Sequence, residues 1–127
     1  MIAFKYEPNG LMPAIIQDHK TKEVLMLAYV NRKAIQKMLK IKKTCFYSRS
    51  RNTYWIKGET SGHIQKIKRI TTDCDRDTLL IQVSQIGGAC HLGYRTCFVH
   101  LLDSKGAFKR VTQKKVFDPN RIYKKGH

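Results

Sequence analysis

The chain has 127 residues, the size of one domain, and a hydrophobic content of 42% gives it a core of its own, which excludes disorder as the main state. No apolar run approaches the ~20 residues of a membrane-spanning helix, and the start MIAFKYEPNG lacks the apolar stretch and cleavage site of a secretory signal, so the expected address is the cytoplasm. Lys and Arg number 25 against 9 Asp and Glu, a formal charge of +16, which draws in nucleic acid, acidic membrane surfaces or phosphorylated metabolites; a lysine-rich solvated surface gives the same count.

In chain order, Asn9 and Gly10 read as a turn. Residues 13–18 (PAIIQD) and 23–30 (EVLMLAYV) read as two strands of a hairpin joined by a polar turn. Asn31 suits the cap of a helix over residues 32–42, where Ala34, Ile35, Met38 and Leu39 recur at helical spacing and lysines fill the other face. Short β-prone runs follow at 44–48 and 54–57, then a loop over 58–63 (GETSGH). Residues 64–72 alternate imperfectly, and 78–86 (TLLIQVSQI) read as a buried strand. A loop over 87–95 leads to a strand at 96–102, and 107–111 offers one more. The fold class is therefore α+β and β-rich, with short antiparallel strands and one main amphipathic helix. Much of the basic excess lies after residue 104, so the chain divides into a domain over 1–104 and a basic C-terminal extension over 105–127 with no assigned role.

Three of the nine carboxylates stand at Asp73, Asp75 and Asp77, in TTDCDRDT. Adjacent like charges repel, so something positive should hold them. On an extended chain alternate residues share a face, which would line up the three carboxylates at ~6–7 Å intervals. A hard cation such as Mg2+ takes oxygen ligands of this kind and keeps several waters. A polar turn neutralised by Arg76 and nearby lysines is the alternative. An EF-hand is excluded, since its sixth position would be Thr78 rather than Gly and its twelfth Ser84 rather than Glu.

The four cysteines are Cys45, Cys74, Cys90 and Cys97; in a reducing compartment, metal ligation or burial is expected over disulfides. In an extended segment Cys74 points away from the acids and could meet Cys90 and Cys97 of GACHLGYRTCF. Three thiolates make a soft site that selects Zn2+ and leaves a fourth position for water. Cys45 is a possible fourth thiolate, and His91 a possible nitrogen ligand or general base. No CxxC pair exists, and three buried small hydrophobes would read the same way.

Residues 48–63 (SRSRNTYWIKGETSGH) gather Arg49, Arg51 and Lys57 as cations and Ser48, Ser50, Thr60 and Ser61 as hydroxyl donors. Tyr54 and Trp55, with Tyr47 just before, could stack on a base, and Arg suits bidentate phosphate binding. This is the composition of a nucleotide site and also of an RNA-binding surface. Nucleic acid is not the expected partner, because the acidic triplet would repel its phosphates. No membrane partner is expected. The HxE…PCxxC signature of zinc nucleoside deaminases is absent.

At these residues the chain resembles the phosphoribosyl-AMP cyclohydrolases. The blocks GLMPAIIQD, EVLMLAYVN, FYSRSR, WIKGETSGHIQK, DCDRD and ACHLGYRTCF occur in family order across residues 10–98. The resemblance implies a homodimer of intertwined β-rich subunits. It implies Zn2+ on Cys74, Cys90 and Cys97, shared between subunits, and Mg2+ on Asp73, Asp75 and Asp77. It implies hydrolysis of the N1–C6 bond of the adenine ring of 1-(5-phosphoribosyl)-AMP, a step of histidine biosynthesis. Zinc-bound hydroxide is the expected nucleophile, with His91 as the base that helps deprotonate it. Arg49, Arg51, Trp55, Lys57, Glu59, Thr60 and Ser61 are the expected substrate-binding residues. Arg76 stands where the family often has Gly, and Cys45 where His or Trp is expected. No pyrophosphohydrolase domain follows, so a monofunctional enzyme is expected.

Overall fold

In the computed structural model, which describes residues 3–90, 93–111 and 116, the first apolar run forms strand β1 (Met12–Asp18). Its strict alternation buries Met12, Ala14, Ile16 and Asp18. β1 turns back into β2 (Val24–Val30), and the two pair antiparallel as the expected hairpin. Helix α1 (Arg32–Ile41) follows at once. The Asn31 side chain accepts from the Ala34 N–H at 2.9 Å, the N-cap that its residue type suggests. Lys42 closes the helix in a left-handed conformation, its N–H bonded to the Met38 carbonyl. Ala34, Ile35 and Met38 are buried, whereas Leu39 is half exposed and borders a surface cavity beside Phe4, Tyr6 and Ile70.

The hairpin of β3 (Cys45–Ser48) and β4 (Thr53–Ile56) comes next, then β5 (Gln65–Thr72) and β6 (Leu79–Gln85). The main sheet has the order β2-β1-β6-β5. Here the expectation of purely antiparallel strands is corrected, because β1 and β6 run parallel. α1 and the β3–β4 hairpin carry the chain from β2 at one edge of the sheet to β5 at the other, and the turn after β5 then sets β6 beside β1 in the same direction. The two parallel strands occupy the middle of the sheet, where Ile16, Leu79, Ile81 and Val83 are buried. The imperfect alternation of β5 also has a cause: the register shifts between Ile67 and Arg69, and Lys68 has no partner across the ladder.

The core gathers Met12, Ile16, Leu25, Met38, Phe46, Leu79 and Ile81, all fully buried. Phe46 packs edge-on against Trp55, ring centroids 5.0 Å apart, which couples the core to the outer face of β4. Two buried polar side chains satisfy each other: Thr44 donates to Gln65 at 2.8 Å, and Gln65 donates to Gln85 at 2.7 Å.

The strand expected over 96–102 is only β7 (His100–Leu102). The preceding residues are held by β2 instead. The Thr96 hydroxyl donates toward the Val24 and Leu25 carbonyls, and the Cys97 N–H donates to Leu25 at 2.7 Å. β7 pairs with β8 (Phe108–Arg110), so the hairpin straddles the boundary expected at residue 104. Among the described residues, no helix is long and apolar enough to cross a membrane.

Candidate functional site

Residues 73–78 do not extend β5; they form the turn between β5 and β6, which corrects the extended-segment expectation. The cause is local. The Asp73 carboxylate accepts from the Asp77 N–H at 3.0 Å and the Thr78 N–H at 3.3 Å, and the Arg76 N–H donates to the Asp73 carbonyl. Arg76 takes φ 60, a left-handed conformation that costs a non-glycine residue roughly 1 kcal/mol and accounts for the glycine the resemblance expects there. The turn brings an oxygen from each of Asp73, Asp75 and Asp77 within 4.8 Å of the others, closer than an extended strand would. A hydrogen bond shared with Asp73, slight desolvation and the charges of Asp73 and Asp75 push the Asp77 carboxyl up. This donor set fits a hard divalent cation, which would relieve that crowding.

Cys74 lies in the same turn and is exposed. Among the described residues it is not grouped with Cys90 and Cys97 within one chain. Cys90 and Cys97 are neighbours: both act on the Lys57 ammonium, and Cys90 acts on the Cys97 thiol. Desolvation and the neighbouring Cys90 push the Cys97 thiol up to about 11, against the opposing pull of Lys57. Lys57 is the third member of this cluster: its ammonium donates to the Ala89 carbonyl at 2.6 Å. Desolvation pushes Lys57 below its ordinary value, against the opposing influence of Cys97 and Cys90. Two neighbouring thiols fit half of a zinc site, which would need further donors to be complete. Cys45 belongs to the main core in β3, where burial pushes its thiol up. His91 lies outside the described residues.

Arg95, which is not among the residues expected at the site, ties the thiol segment to the β1–β2 hairpin. Its guanidinium reaches Asp18 at 2.8 Å and Glu23 at 2.9 Å. The signal for it was thin: Asp18 and Glu23 are two of nine acids in a very basic chain and flank one turn. Burial alone would raise the Asp18 carboxyl. The N–H groups of Thr21 and Lys20, the Thr21 hydroxyl and Arg95 outweigh it and hold Asp18 below its ordinary 3.8. A lowered carboxyl contributes stability above its unfolded value, and that contribution disappears as pH falls through the folded one. Urea midpoints of the wild-type chain should therefore drop more steeply below about pH 4 than those of Asp18→Asn. Parallel curves would remove the effect.

The second constellation forms a cavity of about 540 Å³ whose lining includes Arg51, Trp55, Lys57, Glu59, Thr60 and Ser61. These are six of the seven residues expected to bind substrate. Arg49 is not in its lining; its guanidinium stacks 3.9 Å from the ring centroid of Tyr29, in an adjoining groove of about 490 Å³ that shares Ser48 and Trp55. Lys57 joins the cavity to the thiol pair. His63 is packed between the loop and the thiol segment, since a side chain at either Gly58 or Gly87 would collide with it.

The sequence model of the family described as phosphoribosyl-AMP cyclohydrolase matches residues 26–99. The chain is 47% identical over 123 residues to the phosphoribosyl-AMP cyclohydrolase of Chlorobium phaeovibrioides, covering 97% of this chain and 89% of that one. It is 50% identical to the protein of the same name from Pelotomaculum thermopropionicum, covering 97% of this chain and 95% of that one. It is 52% identical over 119 residues to that of Methanosarcina acetivorans, covering 94% of each. With these matches spanning nearly its whole length, the chain belongs to the phosphoribosyl-AMP cyclohydrolase family of hydrolases.

Proposed function

We propose that the chain hydrolyses the N1–C6 bond of 1-(5-phosphoribosyl)-AMP, opening the adenine ring to the phosphoribosyl-formimino-imidazole carboxamide ribotide of histidine biosynthesis. Zn2+ is held by Cys74, Cys90 and Cys97, and Mg2+ by Asp73, Asp75 and Asp77. The observation that carries the reading is the junction at Lys57, where a cavity lined by cations, hydroxyls and an indole meets two adjoining thiols.

Within that reading Trp55 offers a face to the purine, and Arg51, Thr60 and Ser61 take phosphate oxygens. Arg49 remains assigned to substrate from the adjoining groove, and Glu59 to a ribose hydroxyl. The N1 substituent makes the ring cationic and C6 electrophilic. When bound, zinc lowers the pKa of water toward neutrality, and magnesium supplies a hard cation for phosphate oxygens. His91, next to Cys90 in sequence, accepts the proton of the attacking water at an imidazole nitrogen. Cleavage of N1–C6 leaves C6 as the carboxamide.

The homodimer is part of the same proposal. Among the described residues Cys74 forms no metal-sized cluster with the other two thiols of its own chain, so in this reading Cys74 of the partner subunit completes the set. The β7–β8 hairpin exposes Leu101, Leu102 and Phe108, the last by 71%, and Phe98 is exposed just before it. A two-stranded sheet with uncovered apolar side chains is marginal in water, and a second copy would cover it. Retention of reduced thiol ligands goes with a cytoplasmic address. An RNA-binding role is disfavoured, because the acidic turn would face the phosphates.

Mass analysis of the reaction tests the assignment. The product should weigh one water more than the substrate, with no ammonia released. Ammonia release would indicate a deaminase, and unchanged substrate would contradict the proposal.

A further inference from the structure

We infer that Arg95 is a positioning residue for the metal-binding thiols: its fork between Asp18 and Glu23 sets the separation of Cys90 and Cys97, and it does not bind substrate phosphate. The inference rests on the reading of Cys90 and Cys97 as ligands.

The guanidinium uses two different nitrogens for two different carboxylates. Nη2 meets Asp18 at 2.8 Å, and Nε meets Glu23 at 2.9 Å. Asp18 is itself fixed, accepting from the Lys20 and Thr21 N–H groups and the Thr21 hydroxyl. The fork therefore has a rigid base on the β1–β2 turn. Backbone bonds carry this placement to both cysteines. The Arg95 carbonyl accepts from the Ala89 N–H at 2.9 Å, immediately before Cys90, and the Cys90 N–H donates to Tyr94 at 3.1 Å. On the other side, Thr96 is bonded to β2 and the Cys97 N–H donates to Leu25. Arg95 thus stands at the neck of the segment that presents both thiols. An arginine kept for a phosphate would not be neutralised by two carboxylates in a chain with so few of them.

Partly exposed ion pairs add little to overall stability. Groups that orient metal ligands weigh far more on metal affinity. The inference thus carries a signature that a purely structural role does not share.

The test measures Zn2+ affinity by chelator competition on the full chain and its Arg95→Gln, Arg95→Lys and Glu23→Gln variants. Co2+ substitution reports the thiolate charge-transfer band alongside. Arg95→Gln should weaken Zn2+ binding roughly 10–100-fold and shift the Co2+ band, while KM at saturating zinc moves little. Arg95→Lys, which can hold only one carboxylate, should recover part of the affinity. Wild-type Zn2+ affinity in Arg95→Gln would overturn the inference, whether accompanied by a raised KM, marking a substrate ligand, or by a lowered Tm, marking a structural role. Should Arg95→Gln fail to fold, Glu23→Gln decides, with a severalfold loss of affinity expected and none overturning the inference. A wild-type chain that binds no zinc would overturn the ligand reading itself.

Discussion

Cys97→Ser is expected to lower kcat/KM by about a thousandfold, roughly 4 kcal/mol of transition-state stabilisation, and to remove bound zinc. The serine hydroxyl is a hard, weak donor where a soft thiolate is needed. The fold should survive, because Cys97 lies at the surface and its N–H bond to Leu25 belongs to the backbone. Circular dichroism and Tm near the wild-type values, together with zinc analysis, separate loss of metal from loss of structure. The variant also tests the sharing of the site. Mixed with Cys74→Ser and allowed to exchange subunits, it should form dimers in which one site has all three thiols. Random exchange makes about half the dimers mixed, each with one of two sites intact, so about a quarter of wild-type activity should return. No recovery would place the three thiols in one subunit or the dimer elsewhere. Full activity in a zinc-free Cys97→Ser chain would end the zinc mechanism.

Gly58→Ala is expected to cost about 3 kcal/mol or more of stability and about a hundredfold in kcat/KM. Gly58 takes φ +80, and a Cβ there would lie 2.3 Å from the carbonyl carbon of His63 and from the Ile64 nitrogen. Both are backbone atoms, so no rotamer change relieves the clash. The loop must shift, and with it Lys57 before it and Thr60 after it, both of which line the cavity. Gly62→Ala is the control. Its φ of +81 imposes the same conformational strain, but nothing lies within 4 Å of its Cβ position, so the cost should be about 1 kcal/mol. Urea unfolding and steady-state kinetics read both. Equal effects at the two positions would mean that the close approach to His63 carries no weight.

Local chemistry made much of the fold legible. Asn31 announced the start of α1, the β-prone run at residues 13–18 announced all of β1 but its first residue, and GETSGH announced the loop after β4. Partner choice was not legible, because period-2 alternation specifies a buried face and not the strand beside it; the parallel pairing of β1 with β6 is of that kind. The acidic segment misled for a specific reason. Asp at every second residue looks like one face of a strand, yet Asp73 bonds backbone N–H groups four and five residues on and closes a turn. At the site, the residues lining the cavity came as a contiguous motif and could be read together. Arg95 could not, because its partners lie 77 and 72 residues away. The stacking of Arg49 on Tyr29 escaped for the same reason.

The most direct test of the central claim is turnover of 1-(5-phosphoribosyl)-AMP by the purified chain with Mg2+, followed by ultraviolet absorbance of ring opening, before and after zinc is stripped and restored. Ring opening that disappears with the zinc and returns with it is the predicted result. A folded, zinc-loaded dimer that leaves the substrate unopened would contradict the account.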